Sequence, residues 1–203
     1  MFAFDLMSYD VIVYIAKQSR EPIDAYNLLL SLKRFTKEQL YDELETHFGI
    51  YVYNEINDIP KDAKSVIIEE GITEIKNDAF CDYNHLSYVY IPDSVTIIGD
   101  AAFYGCRSLT SVVIPDKVTS IGEFAFYFCE SLASVVIGKS VTTIMDYGFS
   151  GCNKLTSIIS PHNNLSIKDC AFYWCDRLSS VQLAESVSLG HGSFPYDTEI
   201  IRV

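Results

Sequence analysis

The sequence predicts an α+β chain: a solenoid of about six coils preceded by a small three-helix segment. Columns of identical residue type predict the solenoid. Cys106, Cys129, Cys152 and Cys175 stand 23 residues apart each time. Phe80, Phe103, Phe126, Phe149 and Phe172 keep that period, as do Leu86, Leu109, Leu132, Leu155 and Leu178. Ile75, Ile98, Ile121, Ile144 and Ile167 form a fourth column. One such unit cannot enclose its own apolar face, whereas stacked units bury their columns in a continuous core. The three-helix segment is predicted by helical stripes and caps confined to residues 1–48.

In residues 1–48, Ser8 can cap a first helix with the stripe Val11, Ile12, Ile15 and Ala16. Pro22 suits the first turn of a second helix, PIDAYNLLLSLKRF, and Asp24 lies near its positive dipole end. Thr36 and Gln39 form a capping box for a third helix. Leu40, Tyr41, Leu44 and Phe48 supply its apolar face, and Gly49 ends it. Residues 49–64 read as a strand and a connecting loop. Residues 65–203 hold the repeats, with units beginning near Ile68, Ile91, Ile114, Ile137, Ser160 and Leu183. Within a unit, Val112-Val113-Ile114 alternates core and surface as a strand in a parallel ladder does. The Ala-Phe-x-x-Cys stretch fits a short helical or irregular turn. Leu165 sits one place late in the fifth unit, so a local distortion is expected there. The sixth unit lacks the cysteine and carries Phe194 one place early, as a terminal cap would.

Composition narrows the function. Of 203 residues, 27 are Asp or Glu against 15 Lys or Arg, a net charge of −12. Phosphate backbones repel such a chain, so no nucleic-acid partner is expected. No apolar run reaches membrane-spanning length, so no membrane partner is expected either. The opening MFAFDLMSYD carries acids and no basic region, which points away from secretion and toward the cytoplasm.

The unit IPDSVTIIGDAAFYGCRSLTSVV, from Ile91 to Val113, resembles the BspA-like leucine-rich repeat almost position by position. The resemblance runs from Val66 to about Val203. It implies a right-handed solenoid used for protein–protein contact. The front end resembles an F-box: Asp10, Val11, Ile12 and Ile15 match its opening, and Pro22, Asp24, Leu28, Leu29, Lys33, Arg34 and Phe35 its second half. Met7 and Ser8 stand where that family has Leu and Pro, and Leu32 where a small residue is common. This likeness implies contact with the linker subunit of a cullin-type ubiquitin ligase through Asp10, Val11, Ile12, Ile15, Pro22, Leu28 and Leu29. The alternative is an amphipathic helical cap sealing the open edge of the first coil. F-box-like sequences joined to this repeat also occur in large DNA viruses. That implies a viral protein of the host cytoplasm or the virion, structural in a large assembly.

No catalytic constellation emerges, so no enzyme is expected. The four periodic cysteines occupy equivalent places in successive coils, which makes a buried stack rather than a tetrahedral cage. Cys81 and Cys170 lack zinc-ligand spacing, and His47, His85, His162 and His191 are scattered. No nucleophile elbow or phosphate-cradling loop is present, and no cofactor or metal is expected. Asp93 and Asp116 recur one per coil, as solvated turn residues do.

Strand alternation places an outward column at Ile67, Tyr90, Val113, Val136, Ile159 and Gln182. A neighbouring column reads Ser65, Tyr88, Ser111, Ser134, Ser157 and Ser180. The first is apolar in five places of six, where a solvated face would be polar. Exposed contiguous apolar surface marks interaction sites. Ile67, Tyr90, Val113, Val136 and Ile159, with Ser111, Ser134 and Ser157, are therefore the candidate partner-binding residues. The competing explanation is the ordinary strand preference of β-branched residues. A second candidate surface is the aromatic set Tyr104, Tyr127, Phe128, Tyr173 and Trp174, which competes with a space-filling role between coils.

Overall fold

The structure is a computed structural model that describes residues 21–31, 36–55, 58–159 and 164–203. It holds helices α1 (Pro22–Ser31) and α2 (Lys37–Phe48), then fourteen strands. These are β1 (Ile50–Tyr53), β2 (Ser65–Ile68), β3 (Glu74–Ile75), β4 (Tyr88–Tyr90), β5 (Ile97–Ile98), β6 (Ser111–Val113) and β7 (Ser120–Ile121). There follow β8 (Ser134–Val136), β9 (Thr143–Ile144), β10 (Ser157–Ile159), β11 (Ser166–Ile167), β12 (Ser180–Leu183), β13 (Ser188–Leu189) and β14 (Glu199–Arg202). Only two of the three expected helices fall among the described residues. The first, with Asp10, Val11, Ile12 and Ile15, lies outside them.

All strand pairs are parallel; paired residues are 23 positions apart from β2 to β11 and 22 between β11 and β13. One side of the coil carries the short strands as a six-stranded sheet, β3 to β13 in odd order. A second side carries the longer strands as three successive sheets, β1-β2-β4, β6-β8-β10 and β12-β14. This gives six coils of the expected kind. Residues 50–53 form a strand that joins the solenoid: β1 pairs with β2 from Ile50↔Ser65 to Tyr53↔Ile68 and lengthens the ladder at its start.

The third side is built from turns rather than helix, yet its backbone is also paired between coils. The amides of Phe80, Phe103, Phe126, Phe149 and Phe172 each donate to a carbonyl of the next coil, at 2.7–2.8 Å. Left-handed residues make this path possible. Asp82, Gly105, Phe128, Gly151 and Trp174 all have φ between 54° and 76°, one per coil. Asp78, Ala101, Phe124, Tyr147 and Cys170 repeat the same device four residues earlier. Coil-to-coil bonds on every side account for amides that a buried loop would otherwise leave unpaired.

The core is the expected set of columns. The rings of Phe80, Phe103, Phe126, Phe149 and Phe172 are fully buried and stack with centroids 4.9–5.2 Å apart. Phe194, despite its displaced position, extends the stack to a sixth ring. Cys106, Cys129, Cys152 and Cys175 are fully buried. Each thiol donates to a carbonyl of the preceding coil, from Cys106 to Phe80 and so on to Cys175 and Phe149, at 3.2–3.3 Å. In the fifth coil the late Leu165 is still buried, and pairing has recovered by Ser166↔Thr143.

The capping chemistry of α2 is as the sequence indicates. Thr36 and Gln39 exchange side-chain and backbone bonds, and Gly49 ends the helix at φ 62°. Both helices lie against the outward face of the first strands. Ala25, Tyr26 and Leu29 of α1 and Leu40 and Leu44 of α2 share a buried cluster with Ile50, Val52 and Ile67. An ion pair from Lys37 to the largely buried Glu69 ties α2 to the first coil. No helix among the described residues is long and apolar enough to cross a membrane.

Candidate interaction surface

The outward column is where strand geometry predicts it, but its members meet different surroundings. The burial of β6 runs exposed, buried, exposed, so Val112 fills the core while Ser111 and Val113 face out. Strand β8 repeats this with Ser134 and Val136 half-buried, and β10 with Ser157 and Ile159 exposed. Val113 and Ile159 are 62% and 60% exposed, large values for aliphatic side chains. Ile67 corrects the expectation of a solvent-facing residue: it points outward yet is only 1% exposed, because α1 and α2 cover it. Tyr90, the next member, is half-buried against the same helices. The accessible stripe therefore starts at Val113 rather than at Ile67.

Helix docking also decides the second set of candidate contacts. Leu29, expected to face a ligase subunit, is instead 1% exposed within the molecule's own helix–sheet interface. Leu28 is half-buried against that cluster, Pro22 is half-buried, and Leu30 is exposed. Asp10, Val11, Ile12 and Ile15 lie outside the described residues.

The turn side carries the aromatic surface. Tyr104 stacks on Tyr127 at 5.3 Å and Phe124 on Tyr147 at 5.1 Å. Phe128 runs parallel to Trp174 at 6.2 Å, two coils on, because Gly151 stands between them and leaves room. Tyr173 and Trp174 touch at 4.9 Å and are the most exposed of the set, at 40% and 45%. The sequence signal for this packing is a single 23-residue column, Gly105, Phe128, Gly151 and Trp174, in which glycine and a large ring alternate.

Repeated side-chain oxygens of the turns, from Asn77 onward, are brackets between coils. Asn77 accepts the amide of Asp100, Asp100 that of Glu123, Asp146 that of Asp169, and Asp169 that of His191, at 2.7–3.0 Å. Asp116 accepts the Lys139 amide at 3.1 Å and pairs with its ammonium at 2.8 Å. Burial pushes the Cys106 thiol up to about 12, and raises Cys129 and Cys152 well above an ordinary thiol. Thiols so buried stay protonated at neutral pH. Among the described residues, no group of three or more His, Cys, Asp or Glu is placed to hold a metal ion.

Comparison with known proteins agrees with this architecture. Residues 73–201 match the model of the BspA type leucine-rich repeat region, in six copies. The leucine-rich repeat protein of T. pallidum is 26% identical over 72% of this chain and 78% of that one, with a TM-score of 0.62. A leucine-rich repeat protein from Eubacterium ventriosum shares the fold at 22% identity and TM-score 0.50, over 74% of this chain and 43% of that one. No curated protein matches the sequence. Six matched repeats spanning more than half of the chain, on a solenoid with the same columns buried, place the protein in the BspA-type leucine-rich repeat family.

Proposed function

We propose that the protein is a non-enzymatic interaction scaffold that docks a partner protein on the outward face of β6, β8 and β10. One observation carries this reading. The same outward column is buried by helices at Ile67 and open to solvent at Val113 and Ile159. The face is thus of a kind that polypeptide packs against, and most of its length is left uncovered. Ser111, Ser134 and Ser157 beside it are small enough for a partner backbone to come close. Val113→Lys with Ile159→Lys tests the reading. Stability should change by less than about 1 kcal/mol, surface substitutions being mild. Two lysines inside an apolar contact lose hydration without gaining partners. Proteins captured by the wild type from its native cell should be lost with the double variant. Unchanged capture by a folded variant rejects the face.

A second reading is the substrate adaptor. Helix α1 does begin at Pro22 with Asp24 in its first turn, as the F-box-like pattern requires, and leaves Leu30 exposed. The burial of Leu29 removes one of its expected contacts. Co-purification with the small linker subunit of a cullin ligase, compared with and without residues 1–48, decides it. Absence of binding at micromolar concentration sinks the adaptor and leaves the scaffold untouched.

A further inference from the structure

The last coils form a cleft remote in chemistry from the aliphatic stripe. Its volume is about 410 Å3, and Trp174, Tyr173, Tyr196, Asp176 and Asp197 line it over a floor that includes the buried Leu178. The three aromatic side chains are 45%, 40% and fully exposed respectively, although large rings are ordinarily drawn into cores. Trp174 is also held at φ 59°, a backbone conformation that disfavours bulky residues. Two other members of its column, Gly105 and Gly151, are the residues that conformation favours. Phe128, the other large ring in the column, is accounted for: it packs over Gly151 and is half-buried. Trp174 packs beside Phe128 and Tyr173 yet stays 45% exposed. Its indole runs parallel to Phe128 toward the earlier coils and borders the cleft formed with residues 195–198.

We propose that this cleft binds a cationic side chain of a partner polypeptide, arginine in preference to lysine. Aromatic faces carry negative quadrupole charge, and a guanidinium stacks flat on an indole while its edge donates to carboxylates. Asp176 and Asp197 supply those carboxylates at the rim, and no Lys or Arg lines the cleft. Among the described residues neither acid is engaged in an ion pair with Lys or Arg. The Thr198 hydroxyl is already committed to the Leu178 carbonyl at 2.6 Å, so it holds the wall rather than the ligand. The overall charge of −12 draws a cationic segment toward the molecule. The cleft thus complements the aliphatic stripe: the stripe offers area, and the cleft a single charged anchor.

Trp174 is the only tryptophan in the chain, so its fluorescence reports on the cleft directly. The full chain is titrated with three blocked tripeptides, Gly-Arg-Gly, Gly-Lys-Gly and Gly-citrulline-Gly. The arginine peptide should give a saturable change, lysine a weaker one, and citrulline, which keeps the shape and loses the charge, none. Asp176→Asn with Asp197→Asn should weaken arginine binding about tenfold, two partly open charge contacts being lost, and leave the melting temperature in place. Added salt should weaken binding in the wild type and much less in that variant. Equal response to citrulline, no saturation, or undiminished binding by the double Asn variant would each overturn the proposal. The lysine substitutions at Val113 and Ile159 should leave this titration unchanged, so failure of the stripe and failure of the cleft are told apart.

Discussion

Phe128 lies across Gly151 of the next coil so closely that a methyl group on Gly151 would stand 2.3 Å from Phe128 Cδ1. Gly151 also has φ 76°, so alanine there meets two obstacles, a disfavoured backbone and an occupied space. The two can be separated. Gly151→Ala should destabilise the protein by about 2 to 4 kcal/mol, measured by urea unfolding, since overpacking adds to the backbone cost. In a Phe128→Ala background the same change should cost only about 1 to 2 kcal/mol, because the collision is gone and the backbone cost remains. Equal costs in the two backgrounds would mean that the ring does not occupy that space.

The cysteine stack makes a prediction about reactivity. Cys106, Cys129, Cys152 and Cys175 are buried, whereas Cys81 and Cys170 are partly accessible. A thiol-alkylating reagent at neutral pH should therefore modify two of the six cysteines in the native protein and all six after denaturation. Peptide mapping should place the native label on Cys81 and Cys170. Rapid labelling of Cys129 without unfolding would contradict its burial at the centre of the rod.

These residues also mark how far the sequence could be read. Columns such as Phe103 and Cys106 were legible because a repeat of 23 residues leaves its apolar positions only one place to go, inside the stack. The facing of Ile67 was legible too, since alternation along a strand is local. What covers that face was not. Ile67 sits in the same Ser-x-apolar-apolar setting as Val113, and only the docking of α1 and α2 makes one buried and the other exposed. Leu29 shows the same limit from the helix side: the F-box resemblance implies a ligase contact for it, and only the docking of α1 on the first strands shows that the molecule itself covers it. The cleft of the last coils was hidden for a further reason. It gathers Trp174 from one coil and residues 195–198 from the cap, where the period is already broken.

Alkaline pH should unfold the protein through its thiols. In the unfolded chain a cysteine ionises near pH 9, whereas in the fold Cys106 is pushed up to about 12 and Cys129 and Cys152 are raised well above 9 by burial. The folded state therefore holds protons that the unfolded state releases. Stability from this source is complete below pH 9 and is lost as the pH rises toward the folded values, by about 1.4 kcal/mol per pH unit for each thiol. Chemical denaturation between pH 7 and 11 should show a flat region followed by a steep fall. A Cys106→Ala, Cys129→Ala variant, compared with its own stability at pH 7, should fall less steeply. An unchanged slope would assign the alkaline loss to other groups, the raised tyrosines such as Tyr88 first among them.

Two substitutions of one kind, placed 46 residues apart in the same column, test the covering of the strand face. Ile67→Lys puts an ammonium beneath α1 and α2, among Leu29, Leu44 and Val52. Glu69, the largely buried acid beside that cluster, is already paired with Lys37, so it offers the new cation little to offset its dehydration. A loss of about 3 kcal/mol or more is expected, the scale of a buried charge left without a partner. Val113→Lys meets water instead, at a site 62% exposed, and should change stability by less than about 1 kcal/mol. The lysine at 67 can relieve itself by lifting the helices off the sheet, so the same variant should speed proteolysis within residues 21–49 before the repeats are cut. Val113→Lys should not. Equal and small effects at both positions, with no change in proteolysis, would mean that the helices do not rest on the first coil.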